Sequence, residues 1–233
     1  MKILFIHQNF PGQFKYLAPA LLKAGHEVYA LRLDQKDLAE RNIKGIRLFS
    51  YTPRKSSTPG IHSLVSDFET KIIRAEAVFN AAKELNIKGI SPDLIIAHPG
   101  WGETMFIKKV WPSALLAIYC EYYYQMEGSD VGFDKEFSKK NASEVHIEMK
   151  NLVNTVQFPS VDYAISPTKW QASTYPSHFR SKISVIHDGI DTDLVKPNEH
   201  AKLLLNNQVL IDHKDEILTF VNRNLEPYRG YHI

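Results

Sequence analysis

The chain has 233 residues, 44% of them hydrophobic and 23% charged, enough apolar material for one substantial core or for one core with part of a second. Its formal net charge of +2 is too small to point to nucleic acid or a membrane surface as a partner. A single cysteine, Cys120, excludes an internal disulfide and makes a reducing compartment the default.

No apolar run approaches the ~20 residues that a bilayer span needs. The opening Met1-Lys2-Ile3-Leu4-Phe5-Ile6-His7 lacks the length and small-residue cleavage site of a signal peptide. The expectation is a soluble cytoplasmic protein, with peripheral contact at the membrane's inner face left open.

In chain order, residues 2–7 read as a buried strand and 12–24 as a helix with Phe14, Leu17, Ala18, Leu21 and Leu22 on one face. Gly25 stands at the helix C-terminal cap position. Residues 27–31 and 45–51 are further strands. A basic Ser/Pro loop over 52–60 leads to a long helix over 63–86 with Leu64, Phe68, Ile72, Ala75, Phe79, Ala82 and Leu85 in period. Then come a strand over 93–97, a short helix over 103–110 and a strand over 114–119.

Residues 121–137 have no clean period and read as a long functional loop. Asn141 and Glu144 suit the capping of a helix that runs to about Phe158. A strand over 162–166, a helix over 168–175 and a strand over 182–186 complete the alternation. Residues 198–214 suit a connector, and 216–221 read as a fresh strand.

This alternation predicts an α/β fold, a Rossmann-like parallel sheet with helices on both faces. Ligands bind such sheets beyond the carboxyl ends of the strands. Segments 7–13, 98–103, 121–134 and 187–191 all follow predicted strands and are expected to converge at one rim.

Each segment has a functional and a structural reading. Gly12, in His7-Gln8-Asn9-Phe10-Pro11-Gly12-Gln13, opens a helix where a phosphate can approach backbone N–H groups, or serves an ordinary turn. The single glycine disfavours dehydrogenase-type dinucleotide binding. His98 can donate to a sugar hydroxyl or act as a base, with Trp101 to stack and Glu103 beside it. The alternative is a structural loop with a satisfied histidine.

Glu121, Tyr123, Glu127 and Asp130 combine ring faces with carboxylates, as a polyhydroxylated acceptor requires. Their spacing does not suit a metal. His187-Asp188-Gly189-Ile190-Asp191 reads as a turn, and Arg223 with Arg229 as either a diphosphate clamp or two solvated cations.

Together these pieces resemble the N-terminal domain of family-4 glycosyltransferases of the GT-B fold. The resemblance is carried by Phe10-Pro11-Gly12-Gln13-Phe14, Leu17-Ala18-Pro19-Ala20-Leu21, Gly25-His26-Glu27-Val28, Pro167-Thr168-Lys169-Trp170-Gln171 and, above all, Val185-Ile186-His187-Asp188-Gly189-Ile190-Asp191-Thr192-Asp193. The last is similar to the family's strand-to-hinge motif, usually written Asn-Gly-Val-Asp.

The resemblance implies an acceptor-binding domain over residues 1–195, a linker over 196–215 and the start of a donor-binding domain over 216–233. It implies a retaining, metal-independent transfer of a hexose from a UDP-, GDP- or ADP-sugar to a glycan or lipid-linked acceptor, with no separate cofactor. His98 would contact the transferred sugar, Gly12, Arg223 and Arg229 the donor phosphates, and Trp101, Glu103, Glu121, Tyr123, Glu127 and Asp130 the acceptor. The family's pair of donor-site glutamates is absent from this chain, so the 233 residues alone are expected to be inactive. A non-catalytic carbohydrate-binding protein and a GT-B sugar-nucleotide epimerase are the alternatives.

Overall fold

The structure, a computed structural model, describes residues 1–35, 42–129, 136, 144–222, 224–225 and 229–231. Seven strands form one sheet: β1 (Lys2–Ile6), β2 (Glu27–Leu33), β3 (Arg47–Tyr51), β4 (Leu94–Ala97), β5 (Leu115–Tyr119), β6 (Tyr163–Ser166) and β7 (Ile183–Val185). Their order is β3-β2-β1-β4-β5-β6-β7, and every neighbouring pair is parallel.

The period of two along each strand divides the apolar side chains between two layers. Leu4, Ile6, Leu31, Ile95, Leu116 and Ile118 enter one core. Ile3, Phe5, Val28, Ala30, Ile96 and Ala117 enter the other. The second layer is closed by Ala18 of α1 (Leu17–Lys23), and the first by Val78, Ala82 and Leu85 of α2 (Ser63–Ile87). Helix α3 (Glu144–Gln157) packs beside α2. Short helices α4 (Lys169–Thr174) and α5 (Ser177–Arg180) link β6 to β7. Full burial of each large aliphatic side chain stabilises the fold by about 2 kcal/mol.

Several expectations change here. The helix over 12–24 is broken: a 3-10 turn covers Gly12–Phe14, and α1 starts only at Leu17. Pro19 explains the break, because it has no N–H to bond the Lys15 carbonyl and is tolerated only in a first turn. The cap at Gly25 holds, with Gly25 N donating to Leu22 O (3.0 Å) and His26 N to Leu21 O (3.1 Å).

The buried stripe of α2 is Ile73, Ala75, Val78, Ala82 and Leu85. Ile72 and Phe79 instead line a shallow outer groove. Residues 103–106 are not helical; only Ile107–Lys109 forms a 3-10 turn. Asn141 of the predicted capping pair lies outside the described residues.

The connector holds an antiparallel hairpin of β8 (Lys202–Leu205) and β9 (Val209–Asp212). Leu205 pairs with Val209 across a three-residue loop, in which Asn206 and Asn207 have φ of 50° and 56° and Gln208 N donates to Leu205 O (3.0 Å). No strand forms over 216–221. Leu218 and Val221 there are almost fully exposed, and without a ladder partner an extended segment gains no strand hydrogen bonds.

Candidate active site

The sheet order reverses between β1 and β4, and at such a point the connecting loops diverge to leave a crevice outside the carboxyl ends of the strands. His7 follows β1 and His98 follows β4 there. Their rings lie edge to face, 5.5 Å apart. His98 is 4% exposed and His7 2%.

Both imidazoles are held by the same device. Nδ1 of His7 accepts from Asn9 N (2.9 Å), and Nδ1 of His98 accepts from Gly100 N (3.1 Å). An accepting Nδ1 puts the proton on Nε2. His7 Nε2 then donates to Gln13 Oε1 (2.6 Å) and His98 Nε2 to Glu121 Oε2 (2.9 Å). Burial, and then the neighbouring His98, push the His7 pKa down to about 4, so its ring is neutral in ordinary buffers.

Two glycines make room for these rings. A Cβ on Gly12 would sit 2.4 Å from the His7 ring, and one on Gly100 would sit 2.8 Å from the His98 ring. Gly12 also has φ of +46°, a region that side chains disfavour. The glycine requirement at position 12 therefore already follows from His7 and from the backbone.

Trp101 packs on the His98 ring at 4.3 Å and 31°, and Tyr119 stacks on it at 5.8 Å and 29°. The Tyr119 hydroxyl reaches both carboxylate oxygens of Asp188 at 2.9 Å. All four rim segments thus meet, through the described residues of each. Beneath them Gln157, 1% exposed, donates to Pro99 O (3.0 Å) and accepts from the Thr104 hydroxyl. Removing such a buried amide leaves groups unpaired, at about 1–3 kcal/mol.

Beside His98 opens a cavity of about 220 Å³, lined by Trp101, Glu121, Tyr122, Tyr124, Lys71 and Lys150 among others. Lys71 pairs with Asp67 at 2.5 Å. Lys150 Nζ lies 3.5 Å from the Tyr124 ring centroid, a cation–π contact. The segment after β5 is fixed in place: Asn151 on α3 exchanges hydrogen bonds with Tyr124 N (2.9 Å) and O (2.8 Å).

Three acceptor assignments change. Glu103 turns inward, 1% exposed, and Tyr51 donates to it at 2.8 Å. Burial holds its carboxyl above the usual carboxylate range, so it supports the loop from below and does not line the cavity. Tyr123 packs inward on Tyr175 and Phe179; in an extended segment its neighbours Tyr122 and Tyr124 face the other way. Glu127 is exposed and lies outside the cavity lining. Asp130 and Arg223 lie outside the described residues, and Arg229 is exposed in the tail.

Sequence reasoning passed over Asn151, Asn154 and Gln157, a polar row at spacing three on a helix, which signals a face turned to backbone. It also gave Tyr119 and Asp188 no joint role. Among the described residues, no group of three or more His, Cys, Asp and Glu side chains could hold a metal ion, and no helix is long and apolar enough to cross a membrane.

The sheet order defines a Rossmann-like domain with a crevice at the β1/β4 switch point. The profile of the glycosyl transferase family 4 group matches residues 24–195, and the chain belongs to that family. The fold is that of the N-terminal domain of GT-B enzymes. It is similar to the catalytic domain of starch synthase IV from Arabidopsis thaliana, bound to ADP and acarbose, with TM-score 0.53, 15% identity and coverage of 82% of this chain and 52% of that one.

It is also similar to a UDP-glucose:anthocyanidin 3-O-glucosyltransferase in complex with UDP, with TM-score 0.52, 9% identity and coverage of 84% and 55%. The chain spans about half the length of these structures. At such identities the likeness is one of fold. A search of curated protein sequences found no match.

Proposed function

We propose that the protein is the acceptor-binding half of a retaining, metal-independent transferase that moves a hexose from a nucleotide sugar to a glycan or lipid-linked acceptor. The observation that carries this reading is His98. It stands at the switch point with Nε2–H aimed at the Glu121 carboxylate and its ring in contact with those of Trp101 and Tyr119. An imidazole whose Nε2–H direction is fixed by the hydrogen bond at Nδ1 is a preorganised donor to a sugar oxygen that takes the place of the Glu121 carboxylate. Glu121, half exposed at its side chain, is the acceptor that a substrate hydroxyl would engage in turn.

Departure of the nucleoside diphosphate leaves negative charge, which Arg223 and Arg229 are proposed to stabilise. The 233 residues by themselves are proposed to lack turnover, because the donor-site glutamates of the family are not among them. The test is transfer from UDP-, GDP- and ADP-hexoses by the full-length protein with His98 replaced. His98→Ala is expected to lower kcat/KM at least ~100-fold, the loss typical of a single transition-state hydrogen-bond donor. Turnover within twofold of wild type would overturn the assignment.

A further inference from the structure

The three tryptophans differ in what they are for. Trp111 is 4% exposed and its indole N–H donates to Asn86 Oδ1 (3.0 Å) and Ile90 O (3.1 Å); it is a core residue. Trp101 rests on His98. Trp170, in the first turn of α4, is 55% exposed, while its own helix buries Ala172 and Thr174 instead. Its indole N–H has no hydrogen-bond partner among the described residues. Core packing therefore gives no account of an indole at this position.

Trp170 is not isolated. Its ring lies 5.7 Å from that of Tyr122 at 35°, and Tyr122 meets Tyr124 edge-on at 5.1 Å. Tyr122 and Tyr124 line the cavity that holds His98 and Trp101. The aromatic surface thus continues from the reacting end of the crevice outward over α4. It is rigid: Tyr175 donates to Tyr122 O (3.2 Å), Gln125 to Thr174 O (2.8 Å), and Asn151 clamps Tyr124. A platform whose backbone is already ordered loses little entropy on binding.

We propose that Tyr122 and Trp170 form a second sugar subsite, which stacks a ring of an oligosaccharide acceptor beyond the unit placed at His98. The chemistry is that of a pyranose: an apolar C–H face for the aromatic rings, with hydroxyls at its edge for the indole N–H, Lys150 and Asn154. A lipid chain would need an apolar groove without these charges. The proposal rests on the transferase reading, and it selects an extended glycan as the acceptor.

The test is binding, which needs no turnover and so fails separately from the His98 assay. Chitotriose, cellotriose and maltotriose are titrated into the 233-residue chain, and the three indole N–H signals are followed by NMR. Each signal is assigned from its Trp→Phe variant. At least one trisaccharide is expected to shift the Trp170 signal and leave that of Trp111 in place, with binding weakened ~10-fold or more by Trp170→Ala and by Tyr122→Ala, the scale of one lost aromatic contact. Folding of each variant is checked by the unchanged Trp111 signal. Absence of a Trp170 shift with all three sugars, or equal binding by Trp170→Ala, overturns the proposal. A shift at Trp170 produced by UDP or ADP and not by the sugars does so too, because it would assign the platform to a nucleobase.

Discussion

The His7 imidazole is 2% exposed and faces His98, with Gln13 and the more distant Glu121 favouring its charged form and burial outweighing them. Its pKa is about 4 in the fold against 6.5 for the free side chain. Above pH 6.5 both states are neutral and no stability depends on this group. Between pH 6.5 and about 4 the unfolded chain takes up the proton first, so stability falls as pH falls. The loss reaches about 2 kcal/mol at pH 5. Thermal unfolding of the wild type is expected to weaken more between pH 7 and pH 5 than that of His7→Asn. The comparison cancels Glu103, whose raised carboxyl acts in the opposite sense. Parallel curves would show that His7 is charged without cost in the folded chain.

Residue scale is also where the sequence was hardest to read. The meeting of His98, Trp101 and Glu121 was legible, because all three follow predicted strands whose ends lie at one rim. Glu103 was not. Two residues past Trp101 it has the same composition as a site residue, and only the tertiary position of Tyr51, fifty-two residues away, turns it inward. Tyr123 failed for a simpler reason: three consecutive tyrosines in an extended segment alternate sides, and the sequence does not say which one faces the core.

Among the elements, the seven strands of the sheet were read within a residue or two because their apolar runs are short and bounded by turns, whereas the strand read over 216–221 does not form. Helices were read less well where one residue overrides a periodic pattern, as Pro19 does before α1. The hairpin of β8 and β9 carried a visible sign, the pair Asn206-Asn207 between the apolar runs 203–205 and 209–211, which reading 198–214 as a connector passed over. The Tyr119–Asp188 contact joins two elements that neither pattern relates: the end of β5 and the turn after β7. Tyr119 also stacks on His98, so the turn after β7 is tied to the His98 ring. Tyr119→Phe and Asp188→Ala are each expected to lower kcat of the full-length protein about tenfold, and the double variant no further, because both remove one shared contact. Asp188→Asn, which keeps an acceptor, is expected to restore most of the rate. Multiplicative losses in the double variant would mean that the two residues act independently.

At the scale of the whole molecule, the β-α alternation required a parallel sheet, and right-handed crossovers limited its topology. Strand order came only with the structure, since several orders satisfy the same alternation. The order found places the reversal between β1 and β4, with His7 and His98 on its two sides, which is why the crevice sits where it does. The central claim is that this crevice serves hexose transfer to a glycan.

The most direct measurement is mass analysis together with proton NMR of the products formed by the full-length protein from UDP-, GDP- or ADP-hexose and an oligosaccharide. The account predicts an acceptor longer by one hexose, with the anomeric configuration of the donor retained. An isomerised nucleotide sugar with the oligosaccharide unchanged would contradict it and assign the crevice to epimerisation.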